Sequence, residues 1–411
     1  MSEKMRFEDR VAIVTGAGGG LGRTYARLLA SRGAKVVVND LGGSAFGRGA
    51  DAAPADKVVS EIREAGGEAV ANYDSVENGD KIVQTALDHF GRLDIVVNNA
   101  GILRDTSFHK MTEQDWELIY RVHLYGSFKV THAAWTYLRE QQYGRVIMTT
   151  SAAGIYGNFG QANYGTAKLG LLGLANTLAI EGQKRNIHVN TIAPVAGSRL
   201  TETVLPQEMV AALKPEYVAP LVAYLCHESC GVTGQLFEVG AGWVSRLRWQ
   251  RSKGAFFPVS QPITPEQIGE QWAVIDDFVE AENPATVMDS FAPITRNLQN
   301  GRNLEIARNL QTAAPSRNEF IDVAKAMSYQ FKPEVYSFTE RDVSLYALSV
   351  GAAKDPLDPK ELQFVYELNG AGFHALPTFA VTFPFVVLGQ IMDVPGLKFN
   401  PMLLLHGEQY L

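Results

Sequence analysis

Tyr164 and Lys168 stand four residues apart in the run Tyr164-Gly165-Thr166-Ala167-Lys168, and Ser151 precedes the tyrosine by thirteen residues. Positions four apart on a helix share a face, so a phenol and an ammonium can address one small site. A nearby cation favours the phenolate over the phenol. Free tyrosine titrates at about 10, and bringing it towards neutral pH asks about 4 kcal/mol of that cation and of any positive ring bound beside it. The chemistry this permits is proton abstraction from a hydroxyl group by Tyr164, with Lys168 lowering its pKa. Ser151 adds a hydroxyl able to hydrogen-bond the reacting oxygen.

A second constellation opens the chain. Thr15-Gly16-Ala17-Gly18-Gly19-Gly20-Leu21-Gly22 follows the apolar run Val11–Thr15 and leads into a helical pattern. Glycines at 16, 20 and 22, in a strand–turn–helix context, let a backbone approach a pyrophosphate at a helix N-terminus. Gly16, Gly20, Leu21 and Gly22 are therefore expected to bind a dinucleotide. Asp40 ends the second apolar run, eighteen residues after Gly22. A carboxylate there accepts both ribose hydroxyls of NAD and repels a 2′-phosphate, which favours NAD over NADP. Asp74, Ser75 and Val76 follow the third run and suit an adenine contact. Asn99, after the fourth, either touches the cofactor or ties strands together. Pro194 to Arg199 follows the sixth, so Ala196, Gly197, Ser198 and Arg199 either line the nicotinamide or form a simple turn.

These residues need a scaffold that brings strand ends together. Short apolar runs occur at 10–15, 34–40, 67–73, 93–99, 144–150, 188–193 and 235–239, with helical segments between them. That alternation predicts an α/β fold, a Rossmann-type, doubly wound parallel sheet with helices on both faces. The pattern changes after Gly242, so residues 1–242 are read as the dinucleotide-binding domain. Residues 243–300 read as a basic, aromatic and then helical C-terminal extension, with a helix start at Thr264-Pro265-Glu266. Asn300-Gly301 punctuates it, and 301–317 reads as a polar linker. Residues 318–411 form a third region, with a helix capped by Thr339-Glu340-Arg341-Asp342 and strand-like runs at 364–366 and 379–383.

Bulk properties exclude several classes. The 411 residues are 46% hydrophobic and 20% charged, as in ordinary globular proteins. A net charge of −7 argues against a nucleic-acid footprint. No apolar run is long enough to span a bilayer, and residues 1–7 lack a secretory signal. Cys226 and Cys230, with His227 between them, lack a fourth ligand and read as buried helix-borne packing residues; no metal is expected. Trp243 to Lys253 carries Arg246, Arg248 and Arg251, which either meet the phosphates of a coenzyme or form a solvated or subunit-contact surface.

Four motifs occur in order: TGxxxGxG at Thr15–Gly22, NNAG at Asn98–Gly101, Ser151, and YxxxK at Tyr164–Lys168. On them, residues 6–242 resemble the short-chain dehydrogenase/reductase family. The longer runs 36–43, 151–164 and 237–243 look like the (3R)-hydroxyacyl-CoA dehydrogenase unit of the type 2 peroxisomal multifunctional enzymes. Residues from about 330 resemble the start of that group's hydratase 2, a partial α+β hot-dog segment, notably at 376–379 and 405–411. The resemblance implies NAD-dependent oxidation of a (3R)-3-hydroxyacyl-CoA to the 3-ketoacyl-CoA in fatty acid β-oxidation. It also implies substrate contacts from Ser151 and Tyr164, a homodimer and a peroxisomal setting, although Gln409-Tyr410-Leu411 is not an SKL-type address. The family often has Asn at the fourth catalytic position; His123 stands there, either as part of a proton relay or as a packed helix residue. The hydratase's Asp/His motif is absent from these 411 residues, so hydratase activity is not expected. The rival readings are a 17β-hydroxysteroid or other short-chain dehydrogenase, and a non-catalytic NAD-binding assembly subunit.

Overall fold

Runs of branched apolar residues suit a sheet covered on both faces, because neither side of such a strand tolerates water. The computed structural model describes residues 4–44, 46–197, 208, 212–259, 261–312, 325, 329–330, 337–349 and 394–395. In it the strands are β1 (Val11–Thr15), β2 (Lys35–Asn39), β3 (Glu68–Asn72), β4 (Ile95–Asn98), β5 (Gly144–Thr149), β6 (Ile187–Val195), β7 (Leu236–Gly240) and β8 (Trp243–Leu247). All seven strands expected from the sequence form, with ends moved by no more than two residues. The helices that frame the site are α1 (Gly20–Ser31), α2 (Ala53–Glu64), α3 (Gly79–Phe90), α4 (Glu113–Ile119), α5 (Gly126–Gln141), α6 (Ala152–Tyr156) and α7 (Ala162–Gly182).

The sheet order is β3-β2-β1-β4-β5-β6-β7-β8, and the first seven strands are parallel. Alternate residues of one strand serve opposite faces. Ala12 and Val14 join Val36, Val38, Tyr25, Leu29, Val58 and Ile62 in one core, which packs α1 and α2. Val11 and Ile13 join Val37, Val96, Ile82, Val130 and Leu171 in the other, which packs α3, α5 and α7. Each such Val, Leu or Ile contributes roughly 1.5–3 kcal/mol by leaving water. Ile13 is fully buried, and Ile13→Ala would cost about 2–5 kcal/mol. Chain order reverses between β1 and β4, the switch point where ligands bind at strand C-terminal ends.

The change of pattern after Gly242 does not end the sheet. Ala241 and Gly242 both take positive φ, 47° and 82°, as a two-residue hairpin requires. β8 therefore returns antiparallel to β7, pairing Trp243 with Gly240. One compact unit accordingly runs to Gly254 and adds Ala273–Thr286, so it extends past the boundary expected at 242. The second unit takes Ala255–Trp272 and residues from Val287 onwards. Its helix Pro265–Glu270 starts as expected: the Thr264 hydroxyl accepts from the Gln267 N–H at 3.3 Å, and the Gln267 amide oxygen accepts from the Thr264 N–H at 3.0 Å.

Two expectations about helix extent fail. The helical run to Gln299 is broken between Ile275 and Val287, and the next helix, Val287–Thr312, passes through Asn300-Gly301 into the expected linker. One Asn-Gly pair costs a helix interior about 1 kcal/mol, which the rest of a long helix can absorb. The helix Glu340–Ser349 begins as expected, with the Thr339 hydroxyl donating to Asp342 at 2.8 Å. The strand-like runs at 364–366 and 379–383, and most of the expected hot-dog segment, lie outside the described residues.

Candidate active site

A cavity of about 750 Å³ opens at the C-terminal ends of the parallel strands. Gly16, Gly20, Leu21 and Asp40 line one end; Asp74, Ser75, Val76 and Asn99 continue that wall. His123, Ser151, Tyr164, Lys168 and Ala196 line the other end. Thirteen of the sequence-selected residues therefore meet in one cleft. Gly22 and Gly197 are described but do not line it, while Ser198 and Arg199 lie outside the described residues.

The turn before α1 is built by close approach. Gly16 and Gly20 take φ of +64° and +49°, where a side chain is strained. Gly22 packs instead of lining: a Cβ there would stand 2.3 Å from the Gly16 carbonyl oxygen and 2.7 Å from Asn99 Nδ2. Asn99 ties the ends of neighbouring strands together. Its Nδ2 donates to the carbonyls of Thr15 at 2.9 Å and Gly16 at 3.2 Å, and it also lines the cavity. The Asp40 carboxylate accepts from the Gly18 N–H at 2.8 Å and the Gly42 N–H at 2.7 Å. Sequence reasoning missed Gly18, whose Cβ would fall 2.8 Å from Asp40 Oδ2; its sign was the second glycine of the turn. Asn39 Nδ2 and Asn72 Nδ2 hold the Asp74 carbonyl and carboxylate, each at 2.9 Å. The Ser75 hydroxyl accepts from the Glu77 N–H at 3.3 Å and caps the turn beyond β3.

This arrangement fits a dinucleotide. Helix N-termini carry unpaired N–H donors and a positive dipole end, which suits a pyrophosphate. The bare backbone at Gly19 and Gly20 leaves room over the start of α1, since a Cβ on Gly19 would meet nothing within 4 Å. Asp40 presents a carboxylate to the same cavity.

At the reaction end, α7 carries both Tyr164 and Lys168, with the ammonium nitrogen 5.6 Å from the centre of the phenol ring. Lys168 is 4% exposed, donates to the Thr149 carbonyl at 2.6 Å and accepts through its own carbonyl from the Thr150 hydroxyl at 2.5 Å. Buried Asn163 fixes the preceding turn, donating to the carbonyls of Arg104 and Asp115, each at 3.2 Å. Ser151 caps α6, accepting from the Ala153 N–H at 3.2 Å.

The electrostatics differ from the sequence expectation. Burial pushes the Tyr164 phenol up to about 12; its hydrogen bond with Ser151 draws it back, and the Asp105 charge raises it. Burial also pulls the Lys168 ammonium down to about 7. Desolvation disfavours both charges, and in the protein alone it outweighs the ammonium's pull on the phenol.

His123 sits on a π-helical turn, Tyr120–Tyr125, an irregularity frequent at functional sites and without a sequence signature here. It is 1% exposed and packs its ring edge against Tyr164, with centres 5.2 Å apart at 86°. Its Nε2 lies 2.8 Å from the Ile102 carbonyl oxygen, and its Nδ1 is buried with no hydrogen-bond partner among the described residues. Burial first, then the Lys168 charge, holds its pKa well below the ordinary value, so the ring is neutral. Packing and proximity to the phenol thus coexist in one residue.

Cys226 and Cys230 are free and buried, although Cys230 lies beyond the end of its helix. No group of metal-binding side chains occurs among the described residues. No described helix is long and apolar enough to cross a membrane. Arg251 pairs with Glu282 at 2.7 Å and Lys253 with Glu280, so two cations of the basic stretch already have carboxylates.

Comparison with known proteins agrees with this architecture. The family profile described as short chain dehydrogenase matches residues 10–208, and that of the MFE-2 hydratase 2 N-terminal domain matches residues 336–411. Peroxisomal multifunctional enzyme type 2 of Mus musculus is 55% identical over 415 residues, covering 100% of this chain and 56% of its own length. The chain thus spans about half the length of that relative. A short chain dehydrogenase from Mycobacterium avium superposes with a TM-score of 0.59 at 38% identity, over 66% of this chain and 97% of its own. A 7α-hydroxysteroid dehydrogenase solved with NADH and 7-oxo glycochenodeoxycholic acid gives a TM-score of 0.52 at 27% identity, over 58% of this chain and 95% of its own.

Proposed function

The chain belongs to the short-chain dehydrogenase family, and we propose that it oxidises the 3-hydroxyl of a (3R)-3-hydroxyacyl-CoA to the ketone, with NAD as the acceptor. The observation that carries the reading is the convergence of Ser151, Tyr164 and Lys168 on the same cavity as the glycine turn and Asp40. Likeness to the mouse multifunctional enzyme supports the acyl-CoA class, because 55% identity runs through the whole of this chain. Asp40 supports NAD over NADP, since its carboxylate has no paired cation among the described residues and would repel a 2′-phosphate. The NADH found in the hydroxysteroid dehydrogenase fits the same preference.

Bound along this cleft, the dinucleotide supplies the hydride acceptor and, in its oxidised form, a positive ring. The chain's residues do the rest. Ser151 hydrogen-bonds the carbinol oxygen and orients it. Tyr164, as phenolate, takes the hydroxyl proton, while the carbinol carbon gives up its C–H electron pair as hydride and the C=O bond forms. Lys168, as ammonium, stabilises the phenolate and reaches the ribose. His123 packs against the phenol and limits its motion. Because Tyr164 is held protonated by burial, oxidation accelerates as pH rises and reduction is favoured as pH falls.

A homodimer and a peroxisomal setting follow the same resemblance. Exposed apolar Phe128 on α5, with Leu169 and Ile180 on α7, offers a surface for a second copy. The test is a kinetic assay of the purified chain with (3R)- and (3S)-3-hydroxyacyl-CoA and with NAD or NADP. Turnover confined to the (3R) ester and NAD is the expected result. Equal rates with NADP, or activity only on a steroid alcohol, would overturn it.

A further inference from the structure

We infer that Gln161, held by Asp105, is the residue that recognises the thioester carbonyl of the substrate; the inference rests on the proposed hydroxyacyl-CoA reading and gives that site its substrate-side contact. Gln161 immediately precedes α7, one helical turn before Tyr164, and Lys168 follows one turn later. Residues at this spacing form a single column on a helix. All three line the cavity, as do Asp105 and Asn158. The column therefore runs from the residue that meets the cofactor, through the base, to an amide on the far side of the base.

The orientation of that amide is fixed by its partners. Gln161 Nε2 donates to Asp105 Oδ2 at 2.7 Å, and Asn158 Nδ2 donates to Gln161 Oε1 at 2.9 Å. A carboxylate can only accept, so the nitrogen must face Asp105. The amide oxygen is engaged and one N–H is engaged, which leaves the second N–H as a donor on the cavity wall. A donor beside the base selects an acceptor beside the carbinol. In a 3-hydroxyacyl thioester the carbonyl oxygen hangs two carbons from the carbinol carbon, within reach of a residue one turn from Tyr164.

Asp105 adds a filter. Its charge acts on the Tyr164 phenol, so it also acts on a ligand bound there. A free 3-hydroxy acid brings a second carboxylate to this wall and is repelled, whereas the thioester is neutral at that position. Asp105 is thus a positioning residue that sets the Gln161 amide, and the pair distinguishes an activated acyl group from its hydrolysis product.

The test uses the full chain with NAD and two alcohols: (3R)-3-hydroxybutyryl-CoA and the S-(3-hydroxybutyl)-CoA thioether, in which a methylene replaces the carbonyl. Gln161→Met preserves the side chain's length and removes the N–H. It should lose roughly three- to ten-fold in kcat/KM on the thioester, the worth of one hydrogen bond, and far less on the thioether. Equal losses on both, or no loss on the thioester, overturn the contact. Asp105→Asn keeps an acceptor for Gln161 while removing the charge. It should raise kcat/KM for free (3R)-3-hydroxybutyrate relative to the thioester and move the rise of turnover to lower pH. An unmoved ratio and pH profile overturn the filter. A wild-type chain inert towards both coenzyme A compounds overturns the proposed function itself, an outcome distinct from a wild type that is active and a variant that does not discriminate.

Discussion

The two ends of the cleft are held by different forces. At the turn end, polar groups have partners: Asp40 takes two backbone N–H groups, and Asn99 and the Asn39–Asn72 pair tie neighbouring strand ends. At the reaction end, charges are held against burial: the phenol is pushed up, the ammonium is pulled down, and His123 Nδ1 has no partner among the described residues. A binding site gains from donors and acceptors set in advance, because the ligand meets a finished surface. A proton-transfer site gains from groups whose charge state is delicately balanced, because a bound cationic ring can then tip them.

Three variants would break or sharpen this contrast. Tyr164→Phe removes only the hydroxyl, and turnover should fall by roughly 10²–10⁴ while NAD still binds; steady-state rates and dinucleotide titration of the same sample check both halves. Parallel loss of binding would show that the two ends are not separate. Gly22→Ala drives a methyl into the Gly16 carbonyl, and overpacking of about 1–3 kcal/mol should weaken NAD by about 10–100-fold. The Michaelis constant for NAD should then change far more than kcat, and the reverse split would contradict the assignment.

Lys168 tests the cost of burial itself. Its folded pKa, about 7, lies below that of an unfolded lysine, so between about 7 and 10 the unfolded chain binds more protons. Stability must therefore rise with pH across that window, by up to about 1.4 kcal/mol per pH unit from this group. Urea midpoints at a series of pH values should show a steeper rise in the wild type than in Lys168→Met. Identical slopes would mean that the buried ammonium is not strained.

Sequence periodicity and motif spacing reveal the strands, the glycine turn and the residues at both ends, because each is encoded within a few neighbours. What escaped depended on distant packing. Ala241 adopts a positive φ that few alanines adopt, so the hairpin to β8 carried no Asn-Gly signal. The π-helical turn under His123 has no composition of its own. The helix through Asn300-Gly301 contradicted a local breaker with its length. The direction of the Tyr164 shift was misjudged because a sequence shows that a cation is near but not how much water is excluded.

The stretch of α7 between Asn163 and Lys168 is anchored at both ends, to the Arg104 and Asp115 carbonyls at one and to the end of β5 at the other. Tyr164 stands between the anchors, so its backbone cannot be re-aimed without breaking several bonds at once. The phenol behaves as a fixed post around which different substrates must arrange themselves. Changing the alcohol that such a site accepts therefore means leaving the helix alone and recarving the apolar side chains packed beside the phenol, Ile102, Leu118 and Val122, which also line the cavity.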